Sequence, residues 1–339
     1  MTAAAFVVPR ASAPSGGHAY NAAVVTHWPG TPPALVQLDG PWPRGDQDSL
    51  AQLRGALREP ELALVDGLVG AAHPDLLIEA TASGCRIVLL IHLPLADEGG
   101  LSQRERDELA QRECRSVSNA WRVVTTSRTA ADGLSRTCGR DDIVAVPPGV
   151  DPAPLAEPHH PPGLLQVGSI GPRKNQLASL AALAGCAKFD WTATFVGPVA
   201  DETYAARFRA ALSGARAVWT GPLDAAALNA HYEQADLLLH PARAETWGMV
   251  VTEALARGIP AIVGAGTGAA EALGSGASPG LPGAVVEVDE PDALTHILGR
   301  WLGEPGLRDE WRRNARRARA GLWGWPEAAA ELARVVEQA

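Results

Sequence analysis

The chain predicts an α/β protein built from two doubly wound parallel sheets, and three observations carry that prediction. The length of 339 residues exceeds the roughly 250–300 at which a single hydrophobic core stops growing. Short β-branched or aliphatic runs alternate with helix-length segments, twice over. Between the two series lies a stretch dense in proline (Pro147, Pro148, Pro152, Pro154, Pro158, Pro161, Pro162), which suits an interdomain linker.

The first series reads as strands at Ala5–Val8, Ala34–Leu38, Leu62–Val65, Leu76–Ile78, Arg86–Ile91, Arg122–Thr126 and Ile143–Val146. Helical patterns fall at Ala19–His27, Ser49–Arg58 and Ser102–Asn119. The second series gives strands at Leu164–Val167, Thr192–Val196, Ala217–Trp219, Asp236–His240, Ile259–Val263 and Ala284–Val288, each followed by a turn or helix. A last helix follows the breaker Gly324-Trp325-Pro326. Domain boundaries are expected at 1–157 and 158–322, with 326–339 crossing back to the first domain. In sheets of this kind ligands bind at the carboxyl ends of the strands.

Composition excludes several classes. Charged residues are 20% and hydrophobic ones 46%, far from a disordered chain. The net charge of −9 argues against a broad nucleic-acid surface. The most apolar run, Ile87–Leu95, is broken by His92 and Pro94 and reads as a buried strand, so no transmembrane segment is expected. Met1–Pro9 has no basic region ahead of its apolar run, so a secretory signal is not expected and a cytoplasmic location is. Cys85, Cys114, Cys138 and Cys186 form no C-x-x-C pair and read as reduced thiols. His159-His160 lacks Cys or Asp at ligand spacing, so no metal site is expected. Arg308, Arg312, Arg313, Arg316, Arg317 and Arg319 crowd one helix; a solvated face is the simpler reading, and peripheral contact with anionic lipid stays open.

Three motifs carry chemistry. Pro14-Ser15-Gly16-Gly17-His18 lies between a strand and a helix, where a glycine pair lets backbone amides approach an anion. It is neither G-x-G-x-x-G nor a P-loop, and a plain tight turn accounts for it equally well. Val167-Gly168-Ser169-Ile170-Gly171-Pro172-Arg173-Lys174-Asn175 places two cations at a strand's carboxyl end, a natural diphosphate clamp. Lys174 is one of only two lysines, Lys188 being the other; the alternative is a solvated basic turn. The third motif runs from Ala235 to Val263 and holds Glu245, Trp247, Gly248, Met249, Val250 and Glu253. On a helix, Glu245 and Glu253 would be about 12 Å apart at roughly 1.5 Å per residue. That is too far for an acid–nucleophile pair at about 5–5.5 Å, but suits gripping two hydroxyl-bearing ends of one elongated ligand.

The pattern E-x7-E, after a strand ending in His240-Pro241 and before Glu253-Ala254-Leu255-Ala256-Arg257-Gly258-Ile259-Pro260, resembles glycosyltransferase family 4. Phe195-Val196-Gly197, Gly221 and Gly266-Thr267-Gly268 extend the likeness through most of the carboxyl half. In the amino half it rests on Gly16-Gly17, Ile91-His92, Thr126-Ser127 and Val146–Asp151.

The resemblance implies the GT-B fold, with two Rossmann-like domains facing each other across a cleft, the amino domain binding acceptor and the carboxyl domain donor. It implies a retaining hexosyltransferase that uses a UDP- or GDP-sugar and needs no metal and no cofactor. Gly16 and Gly17 would offer amides to the donor diphosphate or the acceptor, and His92 would lie beside the donor sugar. Arg173 and Lys174 would neutralise the leaving diphosphate, and Glu245 would contact sugar hydroxyls. The backbone of Trp247–Val250 would meet sugar and phosphate, and Glu253 would hold the ribose. Asp97, Glu98 and the Ser102–Asn119 helix would border the acceptor, whose chemistry (lipid, small metabolite or glycan) is left open.

Two departures from the family pattern stand out. Ser169 occupies a position where many members carry Arg, and Pro148-Gly149-Val150-Asp151 replaces Asn-Gly-Val-Asp. Read from the residues alone, His92 at a strand's carboxyl end is more often a hydrogen-bonded core histidine, and only the resemblance favours a role at the sugar. A nucleotide-sugar-binding module without transfer activity, and a phosphorylase or epimerase on the same fold, are the alternatives.

Overall fold

The computed structural model describes residues 4–10, 15–276, 279–290 and 292–338. Pro14, which opens the glycine motif, and Ala339 at the end of the expected last helix lie outside them. The chain divides into two compact units, Met1–Gly149 with Trp323–Ala339, and Val150–Leu322. The first division falls at Gly149, ahead of the boundary expected after Glu157.

In the first unit the order is β1 (Ala4–Pro9), α1 (Gly16–Thr26), β2 (Ala34–Leu38), α2 (Gln47–Ala56), β3 (Leu62–Asp66), α3 (Gly67–Gly70), α4 (Pro74–Ala82), β4 (Arg86–Ile91), α5 (Gln103–Asn119), β5 (Arg122–Thr125), α6 (Arg128–Cys138) and β6 (Val144–Ala145). Its strands form one parallel sheet in the order β2-β1-β3-β4-β5-β6. Strand order reverses at β1, so the switch-point crevice opens between the carboxyl ends of β1 and β3. Strands β3 and β4 read as unbroken apolar runs because both faces are covered; Ala63, Leu64, Val65, Ile87, Val88, Leu89, Leu90 and Ile91 are fully buried.

The second unit runs β7 (Gly163–Val167), α7 (Gln176–Gly185), β8 (Thr192–Val196), α8 (Glu202–Leu212), β9 (Ala217–Trp219), α9 (Ala225–Glu233), β10 (Leu237–His240), α10 (Met249–Ala256), β11 (Ala261–Gly264), α11 (Gly268–Leu273), β12 (Gly283–Val286), α12 (Ala293–Gly303) and α13 (Pro305–Ala318). The sheet order is β12-β11-β10-β7-β8-β9, parallel throughout. Here the switch point lies between β7 and β10. The last helix, α14 (Trp325–Glu337), packs on α1 within the first unit, where the Trp325 and Tyr20 rings meet edge to face at 6.0 Å.

Three sequence expectations are corrected. Leu76–Ile78, read as a strand, belongs to α4: Pro74 starts the helix, Asp75 sits in its first turn, and Leu76, Leu77 and Ala80 form its buried face. A run of three apolar residues does not distinguish the two periods. Second, Cys114 and Cys138 are bonded to each other, with Cα atoms 4.8 Å apart where α5 packs on α6; Cys85 and Cys186 are free and buried. Third, the arginine helix is not a uniformly solvated face. Arg308 donates to the Trp301 and Leu302 carbonyls, Arg312 pairs with buried Asp236, and Arg319 donates to the Ala153 carbonyl. Arg313, Arg316 and Arg317 stay exposed.

Candidate functional site

At the second unit's switch point, β7 is followed by Gly168, whose φ of +150° favours glycine. A Cβ there would lie 3.3 Å from the Lys174 side chain. Gln176 closes the turn that follows, accepting from the Gly171 N–H and donating to the Ser169 carbonyl. The same turn is tied to the loop after β10: the Arg243 N–H donates to the Arg173 carbonyl at 2.8 Å, and Arg173 Nη1 reaches the Ala244 carbonyl. Ser169 is half-buried in the turn.

Across from this turn lies Glu245. It precedes α10 rather than lying on it, so the helical spacing expected between Glu245 and Glu253 does not apply. Gly248, at φ +83°, caps α10 and breaks the helix there. The Gly268 N–H fixes the loop through the Glu245 carbonyl at 2.7 Å, and a Cβ on Gly268 would overlap the Thr246 carbonyl oxygen.

Glu245 Oε2 is bonded to Lys174 Nζ in an ion pair and lies 3.2 Å from His240 Nε2, with Arg173 Nη1 as a longer ionic contact at 3.8 Å. Burial opposes charge on this carboxyl, but Lys174, His240 and Arg173 outweigh it and hold Glu245 well below the usual carboxylate range. Burial, reinforced by Lys174, pushes the His240 imidazole below its usual value. Glu245 opposes that shift, and it is the Nε2 edge of the ring that faces its carboxylate. His240 ends β10 and was legible only as the residue before Pro241; nothing in the sequence paired it with Glu245.

Trp247 is buried among Leu238, Val251, Ala254 and Val263, and its Nε1 has no hydrogen-bond partner. Its indole therefore belongs to the core. Gly248, Met249 and Val250 form the start of α10, where the first amides have no intrahelical acceptor. Glu253 sits one turn further on, and Tyr232 Oη donates to its Oε2 at 2.7 Å.

The first unit gathers a separate group at its own switch point. Gly16 and Gly17 are the first two residues of α1, capped by Ser15, whose hydroxyl accepts from the His18 N–H. A Cβ on Gly17 would lie 3.0 Å from His92 Cδ2, so this glycine leaves room for the His92 ring. His92 Nε2 lies 2.8 Å from Asn21 Oδ1, and Asn21 Nδ2 donates to Asp66 Oδ2 at 2.6 Å. Asn21 spends its N–H on Asp66, so its oxygen accepts and His92 carries its proton on Nε2. Asp66 Oδ1 accepts the Leu68 N–H. Burial lowers the His92 pKa against the pull of Asp66. Asn21 and Asp66 were missed: one looks like a helix residue and the other like a strand end, and only the crossing at β1 and β3 unites them.

Among the described residues, no group of three or more His, Cys, Asp or Glu side chains is placed to hold a metal ion. No helix among them is long and apolar enough to cross a membrane.

The family described as Glycosyl transferases group 1 matches residues 150–318. Among curated proteins, the chain is 30% identical over 197 residues to a GDP-mannose-dependent alpha-mannosyltransferase of Mycolicibacterium smegmatis, covering 53% of this chain and 49% of that protein. It is 28% identical over 242 residues to a D-inositol 3-phosphate glycosyltransferase of Xylanimonas cellulosilytica, covering 64% and 57%. The chain thus spans about half the length of these relatives. Among solved structures, Anabaena Alr3699/HepE in complex with UDP and glucose superposes with a TM-score of 0.80 at 14% identity, over 100% of both chains. Sucrose-phosphate synthase from Thermosynechococcus elongatus gives 0.79 at 17% identity, over 98% of both. These likenesses show the fold, which is GT-B with two Rossmann-like units.

Proposed function

We propose that this protein is a retaining, metal-independent glycosyltransferase of family 4 type that moves a hexose from a UDP- or GDP-sugar to an acceptor hydroxyl. One observation supports this most. Within the segment that matches Glycosyl transferases group 1, Arg173, Lys174, His240 and Glu245 converge at the switch point between β7 and β10, where ligands of such sheets bind. The GDP-mannose in the name of the Mycolicibacterium smegmatis relative, and the UDP held by the HepE structures, support a nucleotide-sugar donor.

In this reading Lys174 and Arg173 meet the donor diphosphate, and Lys174 exchanges its contact with Glu245 for a phosphate oxygen. Glu245, ionised and partly released, accepts hydrogen bonds from the sugar hydroxyls. The amides of Trp247, Gly248, Met249 and Val250 serve sugar and phosphate, Ser169 lines the clamp, and Glu253 holds the ribose. In the first unit, taken by itself, Gly16 and Gly17 offer amides to a diphosphate or an acceptor, and His92 offers its imidazole to a sugar. The bond from the anomeric carbon to the diphosphate oxygen breaks as the acceptor oxygen bonds to the same face of that carbon. The acceptor proton passes to the departing phosphate oxygen, so no side-chain base is needed. Catalysis then rests on positioning and on stabilising the charge that builds on the diphosphate. A cytoplasmic location, and contact with anionic lipid through Arg313, Arg316 and Arg317, belong to the same proposal.

The test is incubation with UDP- and GDP-hexoses and candidate acceptors, reading nucleoside diphosphate release and the product's anomeric configuration. Release with retention is expected. Inversion would refute the mechanism, and failure of UDP, GDP, ADP and dTDP alike to stabilise the fold would refute the donor site. A ligand at 100 times its Kd stabilises by about 2.7 kcal/mol.

A further inference from the structure

We infer that Tyr232, on α9, is a positioning residue for nucleotide recognition: its hydroxyl fixes the Glu253 carboxylate so that one oxygen is presented to the ribose. This rests on the reading of Glu253 as the ribose carboxylate and adds a residue outside every motif of the sequence.

Tyr232 is fully buried, at 1% exposure. Its Oη donates to Glu253 Oε2 at 2.7 Å and lies 3.5 Å from the Val250 carbonyl. The ring is itself held. The Arg257 guanidinium stacks 4.5 Å from its centroid, while Arg257 Nη1 donates to the Glu253 carbonyl and Nη2 to Asn229 Oδ1. Asn229 and Tyr232 share α9, so Arg257 ties α9 to α10 beside Glu253. With Oε2 engaged by the phenol, Oε1 is the oxygen left to accept from a diol. The phenol also favours the ionised carboxylate. Burial raises the Glu253 pKa and Asp151 adds to the rise, while the Tyr232 hydroxyl and Arg257 oppose it. Burial and the neighbouring carboxylate hold the Tyr232 hydroxyl protonated, so it remains a donor throughout.

The experiment compares wild type, Tyr232→Phe and Glu253→Gln by calorimetry, using UDP, GDP and ADP, each against its 2′,3′-dideoxy form. A hydrogen bond to a charged group implies a ribo-over-dideoxy preference of roughly tenfold or more in wild type. Tyr232→Phe should cut that preference to within about threefold while leaving dideoxy affinity unchanged, which also reports an intact fold. The pH below which ribonucleotide binding fades should move up in Tyr232→Phe. That variant loses the donor that stabilises the anion, and binding is lost as pH falls through the Glu253 pKa. If wild type shows no ribo preference, or binds none of the three, the ribose reading of Glu253 fails and the inference with it. If wild type and Tyr232→Phe show the same preference and the same pH dependence while Glu253→Gln loses the preference, Glu253 stands and the role of Tyr232 is refuted. Equal weakening of ribo and dideoxy forms would make Tyr232 merely structural.

Discussion

Lys174 and Glu245 set the chemistry expected of the second unit at the level of single residues. Both are largely buried and joined in an ion pair, so the resting site holds its cation against a carboxylate rather than against water. Charge grows on a departing diphosphate, so a cation there counts for more in the transition state than in the ground state. Lys174→Ala is expected to lower kcat by about a hundredfold or more, the range for one lost electrostatic donor, with a smaller change in donor KM. Lys188→Ala is the matched control. Lys188 is exposed, 5.0 Å over the Phe189 ring, and should leave kcat within a few-fold. Equal, small effects of both would show the turn to be a solvated basic loop. Glu113 offers a pH test in the first unit. Its carboxyl accepts the Leu95 N–H inside the unit, and burial raises its pKa from 4.5 to about 8. Between those values the folded chain keeps a proton that the unfolded chain releases. The stability from this group is therefore complete below about pH 4.5 and is lost as pH rises through about 8. Glu113→Gln keeps the acceptor without the charge. It should stabilise the protein more at pH 8 than at pH 5, by more than about 1 kcal/mol, since one pKa unit is worth about 1.4 kcal/mol. A pH-independent difference in denaturant melts would refute the burial argument.

Among the elements, the α5–α6 pair departs furthest from what the sequence suggested. Cys114 and Cys138 look inert by spacing, because 24 residues and an intervening strand separate them. Only the packing of α5 on α6 brings their Cα atoms to 4.8 Å. Arg140 reinforces the corner, donating to the Val117, Ala120 and Trp121 carbonyls and pairing with Asp142. Closing a loop of this length stabilises by about 3 kcal/mol in the chain-entropy view. Cys114→Ser with Cys138→Ser should therefore lower unfolding stability by about 2–4 kcal/mol. Reductant should lower the Tm of wild type but not of the double variant. Thiol titration of denatured, unreduced protein should find the two free cysteines, Cys85 and Cys186; four reactive thiols would mean that the bond does not form. The misread strand at Leu76–Ile78 has a related cause. Short apolar segments are ambiguous until a neighbour decides which face is buried, whereas the long alternating series fixed the parallel sheets from their β-branched runs alone.

At the scale of the molecule, sequence legibility followed distance along the chain. Arg173-Lys174 and Glu245 stood out because each lies in a compact strand–turn–helix motif. The partners that orient such groups did not: Asn21 meets Asp66 across 45 residues and His92 across 71, and Tyr232 reaches Glu253 across 21. Such contacts arise where a sheet reverses its strand order, which no local pattern records. The net charge bears on the last prediction. A chain at −9 repels a nucleotide diphosphate at long range, over a Debye length of about 8 Å at physiological salt. In the proposed function, binding would therefore depend on cations held at the site, supplied either by a divalent metal or by the protein. Arg173 and Lys174 are fixed at the β7 switch point, where Gly168 makes room for the lysine chain and Arg243 anchors the arginine backbone. Glu245, the carboxylate nearest them, is already engaged by Lys174 and His240. A metal ion there would have to displace a buried cation from that carboxylate. Transfer is therefore expected to proceed at an unchanged rate in excess EDTA, with added Mg²⁺ or Mn²⁺ changing kcat by less than about twofold. Activity abolished by the chelator and restored by either ion would overturn the clamp and transfer the neutralising role from Arg173 and Lys174 to a metal.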